Sequence, residues 1–378
     1  MISLARKSLR HEWRKFLPAI LALSFSGLLL IAQAALVLGI FGSAAVYVTA
    51  SSADLWVGYP GTKSVSFGRT LSPDLAMRLR MDPDIRAVES YIWVDGDWRG
   101  KARQQGAVSV YVSGIDTRAE AMMFSRVLPA ALRARLREPG AVVVDPADLD
   151  QLGAHVGGSA WINGQPVQVV GVISGLRALG GVNVLTSLDN ARLLDSTTSP
   201  ADSATYFVAQ LRTPGSLAKV RARIQANPAF GAFELWSAKE FASRSQHYWL
   251  FDTGAGVAVF FMAIIVCLVG AVITSQSLLA LVVASAREYA TLNALGVSFQ
   301  SLARVLVEQS MWVGAIGLLI GGLLSAALLS LAALHGVPVS MSVPVALLCA
   351  VLVLALAFVS GLLATRGLWR ADPAMLLR

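Results

Sequence analysis

Four long apolar runs constrain this chain more than any other feature of it. They lie at 17–48, 251–284, 305–334 and 343–366. Each is long enough to cross a hydrocarbon core, which takes roughly 20 residues as a helix. A segment in lipid must satisfy its own backbone hydrogen bonds, so the helix is the form open to it. The first run is too long for the core of a cleavable signal peptide and reads as an uncleaved anchor. With 55% hydrophobic and only 14% charged residues, the chain is in large part solvated by lipid.

Charge placement orients the runs. Arg6, Lys7, Arg10, Arg14 and Lys15 precede the first, Arg287 and Arg304 stand between the second and third, and Arg366, Arg370 and Arg378 close the chain. The 335–342 turn, HGVPVSMS, has no Lys or Arg. Positive residues stay on the cytoplasmic side, which puts both ends and 285–304 inside, and 49–250 and 335–342 outside. On this topology Tyr47, Tyr248 and Trp249 fall at the outer interface, and Trp13 and Trp369 at the inner one. The net charge of +8 is therefore a signal of membrane orientation, and no nucleic-acid partner is expected. Residues 1–16 place Ile2, Ala5, Leu9, Trp13 and Phe16 at helical spacing opposite the basic residues, an amphipathic cytoplasmic helix suited to the membrane surface. Residues 367–378 form a cytoplasmic tail.

The expected fold class is membrane α-helical, with four transmembrane helices and a large α+β extracytoplasmic domain inserted between helices 1 and 2. The 49–250 insert has short β-type runs separated by turn signals and is large enough for its own core. Asn163-Gly164, between Ser159–Ile162 and Val167–Ile173, supplies the positive φ angles of a type I′ hairpin. Tyr91–Val94 and Val108–Val112 read as a second strand pair around a polar 95–106 stretch. Helices are predicted near 73–81, 118–137, 146–153, 188–194 and 215–226. A base from 50–110 and 200–245 would carry an upper lobe from the middle of the insert.

Enzymatic signatures fail on spacing. Gly58-Tyr59-Pro60-Gly61-Thr62-Lys63-Ser64 has its glycines too close, and Thr62 separates Gly61 from Lys63, so it is not a phosphate loop. No nucleophile elbow supports a hydrolytic triad. His11, His155, His247 and His335 are scattered, so neither a metal nor another cofactor is expected. Cys267 and Cys349 both lie in apolar runs and cannot staple the polar domain. Within the membrane, Gly317 and Gly321 form a GxxxG pair, suited to helix packing within the chain or to dimerisation. Gln33, Gln276 and Glu308 are the polar residues nearest the bilayer core.

The 287–298 stretch, REYATLNALGVS, reads as a short helix with Tyr289, Leu292 and Leu295 near one face. Gly296 would end it and Ser298 would cap the next helix. Such a helix can dock into a groove on a cytoplasmic partner or simply connect two spans.

This segment resembles the one joining the second and third spans of MacB/FtsX-type ABC permeases, roughly Arg-Glu-x-x-x-Leu-x-Ala-Leu-Gly. Arg287, Glu288, Leu292, Ala294, Leu295 and Gly296 occupy those places. The stretches 110–116, 141–153, 156–173 and 184–194 are similar in order to the family's periplasmic core domain, and 371–378 resembles its Asp-Pro-x-x-x-Leu-Arg ending. Length and the absence of a fused ATPase domain resemble the DevC-like branch. The resemblance implies a non-catalytic permease subunit of an exporter in the cell inner membrane. Its implied partners are a separate cytoplasmic ABC ATPase, a second copy in a homodimer, a periplasmic membrane-fusion protein and an outer-membrane channel. It further implies mechanotransmission, with Arg287, Glu288, Tyr289, Leu292, Leu295 and Gly296 as the ATPase-coupling residues. An FtsX-like regulator of periplasmic cell-wall enzymes, or a membrane receptor or scaffold, is the alternative reading.

Overall fold

The computed structural model describes residues 11, 13–100, 106–195, 202–225, 232–284, 298–335 and 337–370. The chain divides into an outer unit, Ile40–Ala255, and a membrane unit of Met1–Gly39 and Gly256–Arg378.

Among the described residues four helices are long and apolar enough to cross a bilayer. Span 1 is Trp13–Gly42, span 2 Ala255–Ala284, span 3 Phe299–Leu334 and span 4 Val343–Arg370. The span 3 helix starts ahead of its apolar run because Ser298 caps it, accepting a bond from the Ser301 amide at 3.4 Å. Lipid tails are as apolar as leucine, so spans associate through close packing and interhelical hydrogen bonds. Phe16, Ala19, Leu23 and Leu30 of span 1 meet Leu306 and Val313 of span 3 and Val353 and Ala357 of span 4. A Cβ at Gly317 would stand 2.8 Å from Leu23 Cβ, and one at Gly321 would stand 2.6 Å from the Ser24 carbonyl oxygen. The GxxxG face is thus filled by span 1 of the same chain. Gln33 Nε2 donates to the Val259 carbonyl at 2.8 Å, tying span 1 to span 2. Gln276 is exposed on span 2 and Glu308 is half-buried. Cys267 and Cys349 are unpaired thiols within spans.

Among the described residues the outer unit carries nine strands: β1 Leu55–Gly58, β2 Ile85–Arg99, β3 Val108–Ile115, β4 Ala141–Val144, β5 Ser159–Ile162, β6 Gln165–Val172, β7 Val182–Ser187, β8 Tyr206–Leu211 and β9 Glu234–Ser237. Their order is β3-β7-β4-β6-β5-β2-β8-β1-β9, with β3 also paired to β2. Strands β2, β3, β7, β4, β6 and β5 therefore close a ring, while β2, β8, β1 and β9 form an open sheet. Only β2 belongs to both. Its Ile85–Tyr91 part pairs with β8, its Ile92–Trp98 part with β3, and Trp98 and Arg99 with β5.

Strand β2 changes partners from the open sheet to the ring at Tyr91/Ile92, well before residue 110. The polar stretch after Val94 is no loop at first: β2 continues through Arg99 because Trp98 is fully buried and its indole N–H donates to the Leu152 carbonyl at 3.0 Å. The β5–β6 hairpin turns at Asn163 and Gly164 with φ of 51° and 81°, as the Asn-Gly pair demands. The helix expected over 118–137 shrinks to Ala130–Arg135, preceded by turns.

Both faces of the open sheet are covered, so β1 reads as an unbroken buried run. Leu55, Val57, Phe207 and Ala209 face helices Asp74–Met81 and Leu217–Gln225 through Leu75, Leu79, Val220 and Ile224. Trp56, Tyr206, Val208 and Trp236 face the opposite way, into an aromatic core. Ile92, Val94, Val112, Val142 and Val169 fill the ring.

The membrane packing yields a test. Gly321→Leu should lower the thermal stability of the detergent-solubilised protein, by about 1–3 kcal/mol on overpacking grounds. Gly322→Leu, one position on and with open space around a Cβ, should leave it unchanged. Equal melting temperatures for the two variants would contradict the span 1–span 3 contact.

Candidate functional site

The stem by which the outer unit continues into spans 1 and 2 is built from two short helical segments. After span 1 the chain makes a 3-10 turn at Ser43–Ala45 and a last helical turn at Val46–Thr49. On the return side, helix Ala238–His247 follows β9. Ser237 and Glu240 start that helix with a capping box, each side chain bonding the other's backbone amide at 3.1 and 2.8 Å. The helix turns Phe241 and Ser245 inward and packs against Ser43–Ala45 and Val46–Thr49.

Aromatic rings enclose the stem. Tyr47, expected at the outer membrane interface, is instead only 3% exposed, with its ring 6.3 Å from those of Tyr91 and Phe124. Trp56 lies 5.9 Å from Tyr91, 5.7 Å from Tyr206 and 5.5 Å from Phe241, and Phe241 stacks on Trp236 at 4.8 Å. Aromatic pairs at such separations contribute about 0.5–1.5 kcal/mol each beyond their burial. Tilted and edge-on pairs dominate, which fixes ring orientation as well as distance. Burial pushes the Tyr91 hydroxyl well above its ordinary range, so it stays neutral at any physiological pH.

A latch closes over the end of the Val46–Thr49 turn, whose last carbonyls have no partner within a helix. Ser51 Oγ donates to the Tyr47 carbonyl at 2.7 Å and accepts from the Phe124 amide at 3.0 Å. Arg126 donates from its guanidinium to the Thr49 carbonyl at 2.9 Å and from its amide to the Ala50 carbonyl at 3.1 Å. The Ser52 amide bonds the Met122 carbonyl at 3.0 Å.

Phe124 has φ of 54°, a left-handed conformation that costs a bulky residue on the order of 1–3 kcal/mol unless its surroundings impose it. Two buried charges do so. The Glu89 carboxylate accepts from the Met122 amide at 2.8 Å, and Arg133 donates to the Met123 carbonyl at 2.6 Å and the Asp116 carbonyl at 2.8 Å. Glu89 is 4% and Arg133 2% exposed.

The coupling residues Arg287, Glu288, Tyr289, Leu292, Leu295 and Gly296 lie outside the described residues. Gly317 and Gly321 sit in the membrane unit against span 1. Among the described residues no three His, Cys, Asp or Glu side chains converge as a metal set. In the Gly58–Ser64 stretch, the Gly61 amide is already bonded to Glu234 Oε2 at 3.0 Å, so that turn offers no free backbone cradle. The stem and its latch escaped the sequence reading. Nothing in the local pattern marks Phe124 for positive φ, and Tyr47 sits where an interfacial aromatic would also sit.

Burial raises the Glu89 carboxyl above its ordinary range, against the Met122 and Met123 amides that lower it. The folded protein thus holds this proton more tightly than the unfolded chain does. The resulting stability is fully present below the ordinary glutamate range and is lost as pH rises through the raised value. Glu89→Gln, which does not titrate, should remove that loss: the melting temperature of the variant minus that of the wild type should grow from acid toward neutral pH and then level off. A difference that is flat in pH would contradict the assignment.

The chain matches two family models. The one described as MacB-like periplasmic core domain matches residues 17–227, and the one described as FtsX-like permease C-terminal matches 259–373. Among solved structures, the periplasmic region of MacB from Actinobacillus actinomycetemcomitans is 12% identical, with a TM-score of 0.34, covering 51% of this chain and 92% of that one. The extracellular domain of YknZ, a noncanonic ABC-type transporter from Gram-positive bacteria, is 13% identical, with a TM-score of 0.34, covering 48% of this chain and 98% of that one. No curated protein gives a significant match. Members of the matched family are typically non-catalytic transmembrane subunits of ABC systems, which implies association with an ABC ATPase. Because the first match alone spans more than half of the 378 residues and the second takes in spans 2 to 4, this multi-pass membrane protein with its extracytoplasmic domain belongs to the MacB/FtsX-like family of ABC transporter permeases.

Proposed function

We propose that this chain is the inner-membrane permease of an exporter that works by mechanotransmission. A separate cytoplasmic ATPase closes on ATP, displaces residues 285–304, and spans 1 and 2 carry that displacement to the outer domain. The DevC-like branch is the placement that goes with a separate ATPase chain. Two copies act together, and the moving outer domains work on a membrane-fusion protein leading to an outer-membrane channel.

The observation that carries this reading is the buried stem. Tyr47 and Phe241, on the segments continuing into the two spans, are 3% and 0% exposed within one aromatic core. A loose tether would absorb a push in linker motion, whereas close-packed interiors are stiff and pass displacement on. Both segments are fixed to that core by their own hydrogen bonds: Ser51 and Arg126 close the Val46–Thr49 turn, and a capping box at Ser237 starts helix Ala238–His247.

On the cytoplasmic side, Tyr289, Leu292 and Leu295 are the apolar contacts with the ATPase, Arg287 and Glu288 the polar ones, and Gly296 the stop of the coupling helix. Truncating one large docked side chain at such an interface costs about 2 kcal/mol or more. Leu292→Asp should therefore release the ATPase during purification, or abolish permease-stimulated hydrolysis in nanodiscs, while the permease still inserts. Arg192→Ala, on the outer domain, should leave ATPase association intact. Full coupling in Leu292→Asp would remove the support for this reading and favour a receptor or scaffold.

A further inference from the structure

A cationic pocket in the outer unit lies outside the stem. It has a volume of about 410 Å³ and is lined by the Tyr59–Lys63 turn with Phe67, Arg69 and Tyr248. Two cations reach it, and both are held by aromatic faces. Arg69 lies over the Tyr59 ring at 4.9 Å, and Lys63 over the Tyr248 ring at 5.4 Å. Lys63 also pairs with Asp252 at 2.6 Å. Arg69 is exposed and has no carboxylate partner among the described residues. Two positive charges thus share one carboxylate, which leaves the pocket net positive.

Stacking occupies the face of a guanidinium and leaves its edge N–H groups outward, in the fork that matches two oxygens of a phosphate. The Gly61 amide is taken by Glu234, so recognition here would come from side chains and not from a backbone cradle. That distinguishes the pocket from a nucleotide loop, whose phosphates rest on backbone amides.

The pocket's surroundings favour a lipid over a soluble anion. Phe67 remains 47% exposed although it stacks on Trp249 at 6.3 Å and meets Tyr248 edge-on at 5.2 Å. Phe251 is 54% exposed. Trp249 Nε1 donates to Ser64 Oγ at 3.1 Å, fixing these rings to the basic turn. Asp252 precedes the first residue of span 2, Ala255, by a stretch of chain that can reach at most about 11 Å. Exposed Phe67 and Phe251, with half-buried Tyr248 and Trp249 beside two cations and close in sequence to the start of span 2, are the composition of a headgroup-level belt.

We propose that this pocket binds the phosphate of an anionic phospholipid headgroup in the outer leaflet, where the chain enters span 2. Arg69 is the principal ligand and Lys63 the secondary one, with the aromatic rings lying against the upper acyl region. The inference rests on the extracytoplasmic placement of the domain and not on ATPase coupling.

Native mass spectrometry of the full-length protein in detergent, titrated with dioleoyl phosphatidylglycerol or dioleoyl phosphatidylcholine, tests it. The wild type should bind the first phosphatidylglycerol more tightly than phosphatidylcholine. Arg69→Glu and the milder Arg69→Gln should each weaken that first step, by about five-fold or more if one good charged contact of roughly 1 kcal/mol is lost. Arg80→Glu, an exposed charge change on the Asp74–Met81 helix, should leave it unchanged, and melting temperatures should confirm that each variant is folded. Inorganic phosphate in large excess should not displace the lipid. Equal binding of the two lipids, or unaltered phosphatidylglycerol binding in both Arg69 variants, would overturn the proposal. Displacement by inorganic phosphate would overturn it in favour of a soluble-anion site.

Discussion

The aromatic core around Tyr47 is the constraint on which the rest of the outer unit depends. It takes Tyr47 and Val48 from the turn that follows span 1 and Phe241 from the helix that precedes span 2, and gathers them with Trp56, Tyr91 and Tyr206 of the open sheet. The sheet in turn cannot shift without β2, and β2 is shared with the six-stranded ring. A single 15-residue strand therefore joins stem, base and lobe. Its side chains alternate between two cores, Tyr91 and Trp93 on the stem side and Ile92 and Val94 in the ring, which is the period-two pleat put to structural use.

The membrane unit meets a different physical demand. Lipid provides no hydrophobic drive for one span to seek another, so closeness must come from small residues and from hydrogen bonds that have no water to compete with them. Gly317 and Gly321 supply the first against span 1, and Gln33 on Val259 supplies the second. The outer unit is held by aromatic and aliphatic cores, and the membrane unit by apolar side chains brought close where glycines let the helices approach. Tyr47 and Phe241, on segments continuous with spans 1 and 2, are buried in the first.

What was legible in the sequence followed from local rules with few exceptions. Spans are fixed by length and apolarity, and the Asn163-Gly164 turn by the φ angles only such residues accept easily. The cap at Ser298 followed from side-chain chemistry as well. The misses are equally physical. Tyr47 has the same neighbours in sequence whether it lies in headgroups or in a protein core, and only Tyr91 and Phe124, remote in the chain, decide between them. Val94 is followed by charged residues that look like a loop, yet Trp98 needs the ring's interior and pulls the strand onward. Phe124 adopts a glycine-like φ because Glu89, Arg133 and Ser51 hold its neighbours from three separate segments, an arrangement with no local signature. The residues of 287–298 alone read equally as a docking helix or a plain connector, and only the resemblance to a family pattern favours coupling.

The central claim is that stem and outer domain move as one body when the ATPase acts. Hydrogen exchange on the full-length permease bound to its ATPase, compared without nucleotide and with ATP, tests this directly at the latch. The amides of Ser52, Phe124 and Arg126 are bonded to Met122, Ser51 and Ala50 respectively. The account predicts that their protection is the same in both states, because the latch travels intact with the stem. Loss of protection at these amides on ATP binding would show that the stem parts from the domain, and would contradict the account.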